Sequence, residues 1–259
     1  MDILRGMTQS LKAVADLLLP RTCIACEKRL HPNEEHLCSE CHADIPLTRF
    51  HMLRHNPMAD KFNDAIQKYL EEQWTADTYT ASLQLEKYAY ALALFFYSSG
   101  SDYRHITHRI KYQSDLKAGE FFGRMLGREI LSAEWFQDVD AVVPVPLHWT
   151  RKWTRGYNQA EIIARAVAKE IGVPIKTDIL KRTRRTKTQT KVGIADKGAN
   201  VRNAFQVQDH HPDGMVHILL VDDVFTTGST LGECFKALRK VYPPSVRISV
   251  ATLGFVGGA

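Results

Sequence analysis

Residues 218–230 read ILLVDDVFTTGST. Four consecutive apolar residues, too few for a buried helix, suit a strand covered on both faces, as in a parallel sheet. The Thr, Gly and Ser that follow suit a tight turn, and TLGECFKALRKV beyond it has the apolar spacing of a helix. Such a unit constrains the fold strongly, because parallel strands need crossover connections that place helices on the faces of the sheet. The texture recurs from about residue 88. AYALALFFYSS, DAVVPVPL and VRISVATLGFV are further strands, with HILLVDD closing at its second acid, and DYRHITHRIKYQSD, LKAGEFFGRMLGREIL and NQAEIIARAVAKEIG are further helices. The expected class is α/β, a parallel sheet flanked by helices, with ligands at the carboxyl ends of the strands.

The small-residue turn is suited to an anion. Free N–H groups at a helix N-terminus converge there, Thr226, Thr227, Ser229 and Thr230 add hydroxyls, and Gly228 lets the backbone approach closely. Asp222 and Asp223 would repel a bare phosphate. A ribose 5′-phosphate reconciles the two halves: the sugar's vicinal hydroxyls donate to the acids while its phosphate sits in the turn. The same carboxylates would then stabilise positive charge developing on the sugar ring. Neither a Walker loop nor a GxGxxG turn is present.

Four of the five cysteines fall as CIAC (Cys23, Cys26) and CSEC (Cys38, Cys41), separated by eleven residues. This spacing suits a closed tetrahedral Zn²⁺ site, with two disulfides as the alternative. A closed site is structural, and it would fold a segment too short for a core of its own. Cys234 is expected as a small core residue. Residues 51–87 show no chemistry and read as a connector or substrate hood. The expected divisions are 1–50, an N-terminal helix and metal module; 51–87; and 88–259, the main domain, within reach of a chain of 259 residues that is 44% hydrophobic.

The net charge is only +5, but residues 176–202 carry nine Lys or Arg against Asp178 and Asp196, a local +7. That concentration suits an anionic partner, a phosphorylated compound or nucleic acid, or else a solvated basic loop. Ile3, Met7, Leu11, Val14 and Leu18 lie on one helical face, giving an amphipathic N-terminal helix rather than a leader. The longest apolar run, YAYALALFFY, is too short to cross a bilayer, so membrane insertion is not expected and the cytoplasm is the expected location.

ILLVDDVFTTGST resembles the phosphoribosyl diphosphate (PRPP) motif of type I phosphoribosyltransferases. Together with the paired CxxC head, HRIKY, VPVPLHWTRKWTRGYNQA and RTRRTKTQT, the chain resembles the competence protein F (ComF) family of bacteria over nearly its full length. The resemblance implies a type I phosphoribosyltransferase fold joined to an N-terminal zinc ribbon with four cysteine ligands, and a link to DNA uptake. It implies PRPP with Mg²⁺ as ligands and transfer of the phosphoribosyl group to a nitrogen acceptor that it does not identify. By position, Asp222 and Asp223 would hold the ribose hydroxyls and Thr226, Thr227, Gly228, Ser229 and Thr230 the 5′-phosphate. The turn at Leu147 and His148 would meet pyrophosphate and Mg²⁺, with Arg155, Gly156, Tyr157, Asn158 and Gln159 behind it. Arg151, Lys152 and Arg155 are cations placed for pyrophosphate. Lys111 of HRIKY is either a phosphate contact or a solvated helix residue. Residues 181–205 match a loop that closes over substrate, where Arg182, Arg184, Arg185, Lys187 or Lys191 would neutralise the leaving group. Lys197 departs from the arginine the pattern favours. The competing function is a non-catalytic protein that handles single-stranded DNA or docks DNA-uptake proteins, for which a +7 segment is suited.

Overall fold

The structure, a computed structural model, describes residues 20–73, 86–147, 156–183, 204–208 and 214–257. The expected helix over the first 19 residues lies outside them. Four parallel strands form the central sheet: β1 (Ala91–Phe96), β2 (Ala141–Pro144), β5 (His217–Phe225) and β6 (Arg247–Phe255), in the order β1-β6-β5-β2. The two inner strands are the longest and among the most buried, as their near-continuous apolar runs require. A second, two-stranded antiparallel sheet pairs β3 (Leu180–Arg182) with β4 (Phe205–Val207). Its strands bracket most of the basic segment, and residues 184–203 lie outside the described residues.

Six α-helices are described: α1 (Ser39–Asp44), α2 (Pro57–Gln73), α3 (Arg104–Tyr112), α4 (Leu116–Leu131), α5 (Gln159–Ile171) and α6 (Ser229–Arg239). α4 packs on β1 and β6, and α5 on β5 and β2. The two helices approach closely along Gly119, Gly123 and Gly127, spaced by four so that they share one face of α4. A Cβ at Gly123 would stand 2.7 Å from the Ala166 Cβ and 2.9 Å from the Ile163 carbonyl oxygen. Ordered termini complete these helices. Asp115 caps α4 through the Ala118 amide (3.0 Å), Asn158 caps α5 through the Ala160 amide (3.2 Å), and Gly172 ends α5 at φ 76°.

The segment expected as a connector contributes to the body. In α2, Met58, Ala59, Phe62, Ile66 and Leu70 are buried, and Phe62 meets Phe235 of α6 edge-on at 6.1 Å. Just before it, the chain covers the outer edge of β1. The Thr48 amide donates to the Leu94 carbonyl (3.1 Å) and the Phe96 amide to the Pro46 carbonyl (2.8 Å). Asn56 Nδ2 reaches the Ala91 carbonyl (2.9 Å), and Asn63 both donates to Ala89 (2.8 Å) and accepts from it (3.0 Å). These side chains satisfy edge groups that sheet pairing leaves over. A composition-based reading misses this because the apolar positions of α2 are diluted by charge on its outer face.

Away from the strand carboxyl ends, His217 joins Asp138 (2.6 Å from Nδ1) and Ser249 (2.7 Å from Nε2). It resembles a hydrolytic triad in composition, but both His217 and Ser249 are fully buried and the Ser249 oxygen accepts the Tyr90 amide at 3.0 Å. The arrangement ties β5, β6 and the approach to β1 together. Another buried pair, Arg239 with Glu86 at 2.6 Å, anchors the end of α6, where Arg239 also donates to the carbonyls of Tyr242 and Val246 (3.1 and 2.9 Å).

Candidate functional site

The structure carries β5 two residues beyond the expected end of the strand, to Phe225. Val224 and Phe225 stay in register with Gly254 and Phe255, and the Phe225 ring packs on Phe255 at 5.8 Å. The acids therefore lie within the strand, held by its pairing. After Phe225 the chain turns through exposed Thr226 and Thr227 to Gly228, at φ 75°, and enters α6 at Ser229. A Cβ on Gly228 would meet the Phe225 ring at 2.7 Å, so closeness and positive φ both require glycine there. The Thr227 and Ser229 hydroxyls meet at 2.8 Å. This places two hydroxyls beside the N-terminal amides of α6.

Asp222 and Asp223, as neighbours on a strand, point to opposite sides of the sheet. Asp223 is buried and pairs with Lys111 of α3 at 2.8 Å. Burial opposes the lysine's charge, but Asp223 and then Asp222 outweigh it and raise its pKa, so it stays protonated. Asp222 accepts the Asp223 amide at 2.8 Å. Burial, and then the charge of Asp223, push its carboxyl up to about 7, against the pull of Lys111 and Arg182. The enclosure thus makes the proton harder to remove from Asp222, and a cation beside it would favour the carboxylate.

A separate cavity lies at the C-terminal end of β2. Leu147 and Arg182 line this space of about 270 Å³ together with Pro144, Asn158, Glu161 and Asp178. Arg182 lies on β3 with its guanidinium 5.2 Å from the centre of the Phe205 ring. Asn158 Nδ2 donates to the Val145 carbonyl (3.1 Å), while the Tyr157 hydroxyl donates to the Ile110 carbonyl, next to Lys111. The residues after the VPVP turn are thereby fastened both to that turn and to α3. Sequence reasoning singled out Tyr157 and Asn158 only through resemblance, and neither bond has a signature in local pattern. His148, Arg151, Lys152, Arg155, Arg184, Arg185, Lys187, Lys191 and Lys197 lie outside the described residues.

At the other end of α3, Cys23, Cys26, Cys38 and Cys41 bring their sulfurs within 4.8 Å of one another, and no disulfide joins them. The Cys26 and Cys38 sulfurs stand 3.7 Å apart, close to the edge of about 3.8 Å that a tetrahedron with Zn–S of about 2.3 Å requires. Burial pushes the Cys23 thiol up, but amide donors from Cys26, Cys38 and Ala25 outweigh it and bring it down to about 7. Burial and the surrounding sulfurs hold Cys41 up. The cluster suits a metal that takes thiolates. The Tyr103 hydroxyl donates to the Cys41 carbonyl (3.0 Å), His36 packs on Phe121 of α4 at 5.2 Å, and Arg124 pairs with Glu35 at 3.4 Å.

Comparison with known proteins matches both parts. A phosphoribosyl transferase domain model matches residues 157–253, and a double zinc ribbon domain model matches residues 14–51. Competence protein F of Haemophilus influenzae is 27% identical over 236 residues, covering 87% of this chain and 94% of that protein. The chain is a homologue of competence protein F. Like that homologue's match, the alignment with the DNA utilization protein YhgH of Escherichia coli K12 is substantial, 30% identical over 146 residues, but it covers 55% of this chain and 63% of the relative. Competence protein ComFC of Bacillus subtilis is 31% identical over 91 residues, 35% of this chain and 34% of its own length. The chain thus combines a phosphoribosyltransferase domain, with a four-stranded parallel sheet flanked by helices, and an N-terminal zinc ribbon built on four close cysteines that support structural Zn²⁺. Among the described residues, no helix is long and apolar enough to cross a membrane.

Proposed function

We propose that this protein binds PRPP and transfers its phosphoribosyl group to a nitrogen acceptor. The observation that carries the proposal is the succession of Asp222 and Asp223 on β5, the Thr226 to Thr230 turn and the α6 N-terminus, with Lys111 paired to Asp223. The 5′-phosphate would take the turn's hydroxyls and amides, where the helix dipole favours negative charge. The ribose hydroxyls would donate to Asp222, the acid that is not enclosed. Asp222, partly accessible, is suited to accept from a hydroxyl, and the charged pair of Asp223 and Lys111 fixes the far side of the strand.

In the reaction the acceptor's nitrogen lone pair forms the bond to the anomeric carbon as the carbon–oxygen bond to diphosphate breaks. Diphosphate leaves with the electron pair, and the nitrogen's proton passes to it or to water. The carboxylates stabilise positive charge on the ring during this displacement. Arg182, with Arg184 and the other cations of residues 181–205, would neutralise the departing diphosphate, joined by Arg151 and Arg155 after β2, where the turn at Leu147 and His148 would meet it. Magnesium would enter with PRPP: diphosphate supplies its main oxygen ligands, Asp222 is an oxygen donor on this chain suited to it, and the ion would neutralise leaving-group charge.

Calorimetry with PRPP and MgCl₂ tests the reading, followed by a screen for released pyrophosphate against amines and nitrogen bases. Saturable binding that is lost in the Asp222→Asn/Asp223→Asn protein is expected. Tight PRPP binding by that variant would overturn the assignment.

A second reading, nucleic-acid handling in DNA uptake, draws support from the +7 segment and from the names of the relatives. In filter binding with single-stranded DNA it requires a steep loss of affinity with salt. That slope should flatten when the cations of residues 181–191 are neutralised; no binding at low salt removes this reading.

A further inference from the structure

A cleft of about 620 Å³ opens between the zinc ribbon and α3, bounded on the ribbon side by residues 22–24 and Glu27 and on the other by α3 and Tyr97. Its helix wall carries Arg104, His105, His108 and Arg109. These four share one side of α3 by helical spacing, opposite the buried Ile106 and Ile110. Glu27 is the acid among the lining residues, and among the described residues neither Arg104 nor Arg109 forms a salt bridge with a carboxylate. Arg109 donates through Nε to Gln113 (3.0 Å) and Arg104 through one Nη to the Ser99 carbonyl. Each guanidinium keeps further N–H donors for a ligand.

The wall is rigidly held. The Tyr103 hydroxyl is bonded to the Cys41 carbonyl at one end of α3 and the Tyr157 hydroxyl to the Ile110 carbonyl at the other. Flat rings also border the space: His105, Tyr97, and His108, which packs against Tyr112 at 4.9 Å. A concave site with two arginines along one wall and stacking surfaces is suited to a compact anion attached to a planar ring. His108 and Lys111 stand three residues apart on α3, about 4.5 Å of rise, so the same helix carries the cleft's wall and the partner of Asp223.

We propose that this cleft is a second ligand site, binding a small planar organic anion whose phosphate or carboxylate is held by Arg104 and Arg109. It stands on its own lining and does not require PRPP in the neighbouring site.

The test is calorimetry on the full zinc-loaded protein without PRPP, with phenyl phosphate, which carries no ribose, as the phosphate-bearing probe and orotate as the carboxylate-bearing probe. Saturable binding of one of them, with Kd of about 1 mM or tighter, is expected, and which one binds identifies the anion. Arg104→Gln/Arg109→Gln should weaken it about tenfold or more, whereas Glu27→Gln, which removes the opposing charge, should tighten it. Opposite signs from the two variants cannot both arise from unfolding. Failure of both probes to bind, indifference to both variants, or displacement of the probe by PRPP would overturn the proposal. PRPP binding, measured separately, decides the donor site on its own.

Discussion

Lys111 reaches across from α3 to hold Asp223 of β5 at 2.8 Å, joining the helix to the most buried acid of the candidate site. Its removal leaves a carboxylate enclosed without its counter-charge. Lys111→Ala should lower unfolding stability by about 1–3 kcal/mol, less than for a fully enclosed pair because the lysine keeps some solvent contact. Asp223→Asn in the same chain should restore part of the loss. Urea unfolding of the two single variants and the double variant measures the coupling; additive losses would show that the pair contributes nothing.

His217 gives the fold a defined response to acid. Burial holds its imidazole down at about 4, against the pull of Asp138, whereas an unfolded histidine titrates at about 6.5. Between those values the unfolded chain binds the extra proton, so this contribution is complete above about 6.5 and lost as pH falls through about 4, on the order of 3 kcal/mol. Asp222 has the opposite sign: its raised pKa makes folding less favourable as pH rises from about 4 towards 7. Measurements in an Asp222→Asn background therefore remove that opposing contribution. Urea midpoints in that background should fall from pH 7 to pH 4, and His217→Gln should flatten the slope.

Gly228→Ala should disable the turn while the sheet remains folded. Alanine at φ 75° costs about 1 kcal/mol or more, and the new Cβ must also displace the fully packed Phe225 ring. A drop of a few degrees in Tm with loss of PRPP affinity of about tenfold or more is expected. Retained affinity would show that the turn does not hold the phosphate.

Zinc removal should be felt at a distance. Metal analysis is expected to find one zinc per chain, and chelation should release the ribbon while freeing the start of α3, which Tyr103 fastens to Cys41. Hydrogen exchange of residues 104–112 reports this directly. Faster exchange there after chelation, partly mimicked by Tyr103→Phe with zinc in place, is the expected result; unchanged protection would separate the two parts.

The sheet and the metal module were legible in sequence because each leaves a local record. Continuous apolar runs mark β5 and β6, and paired CxxC motifs mark the ribbon. The strand end was less legible, since only pairing with β6 shows that Val224 and Phe225 remain extended. Residues 57–73 carry a helical apolar face, but burying that face depends on Phe235 of α6, far along the chain. The fate of Lys111 was open for the same reason: its spacing reveals a helix, whereas its partner is a strand residue more than a hundred positions away. Glycines 119, 123 and 127 likewise acquire meaning only through α5.

The bonds that residues 46–63 make along the outer edge of β1 bear on how this chain can be divided. That strand would otherwise offer a row of unpaired amides and carbonyls to any extended neighbour. A shortened chain lacking the ribbon and α2 would lose this guard together with the residues that cover Phe235, leaving it prone to strand-to-strand self-association. Residues 46–63 therefore shield the outer edge of the sheet, and a cut made after them should expose it.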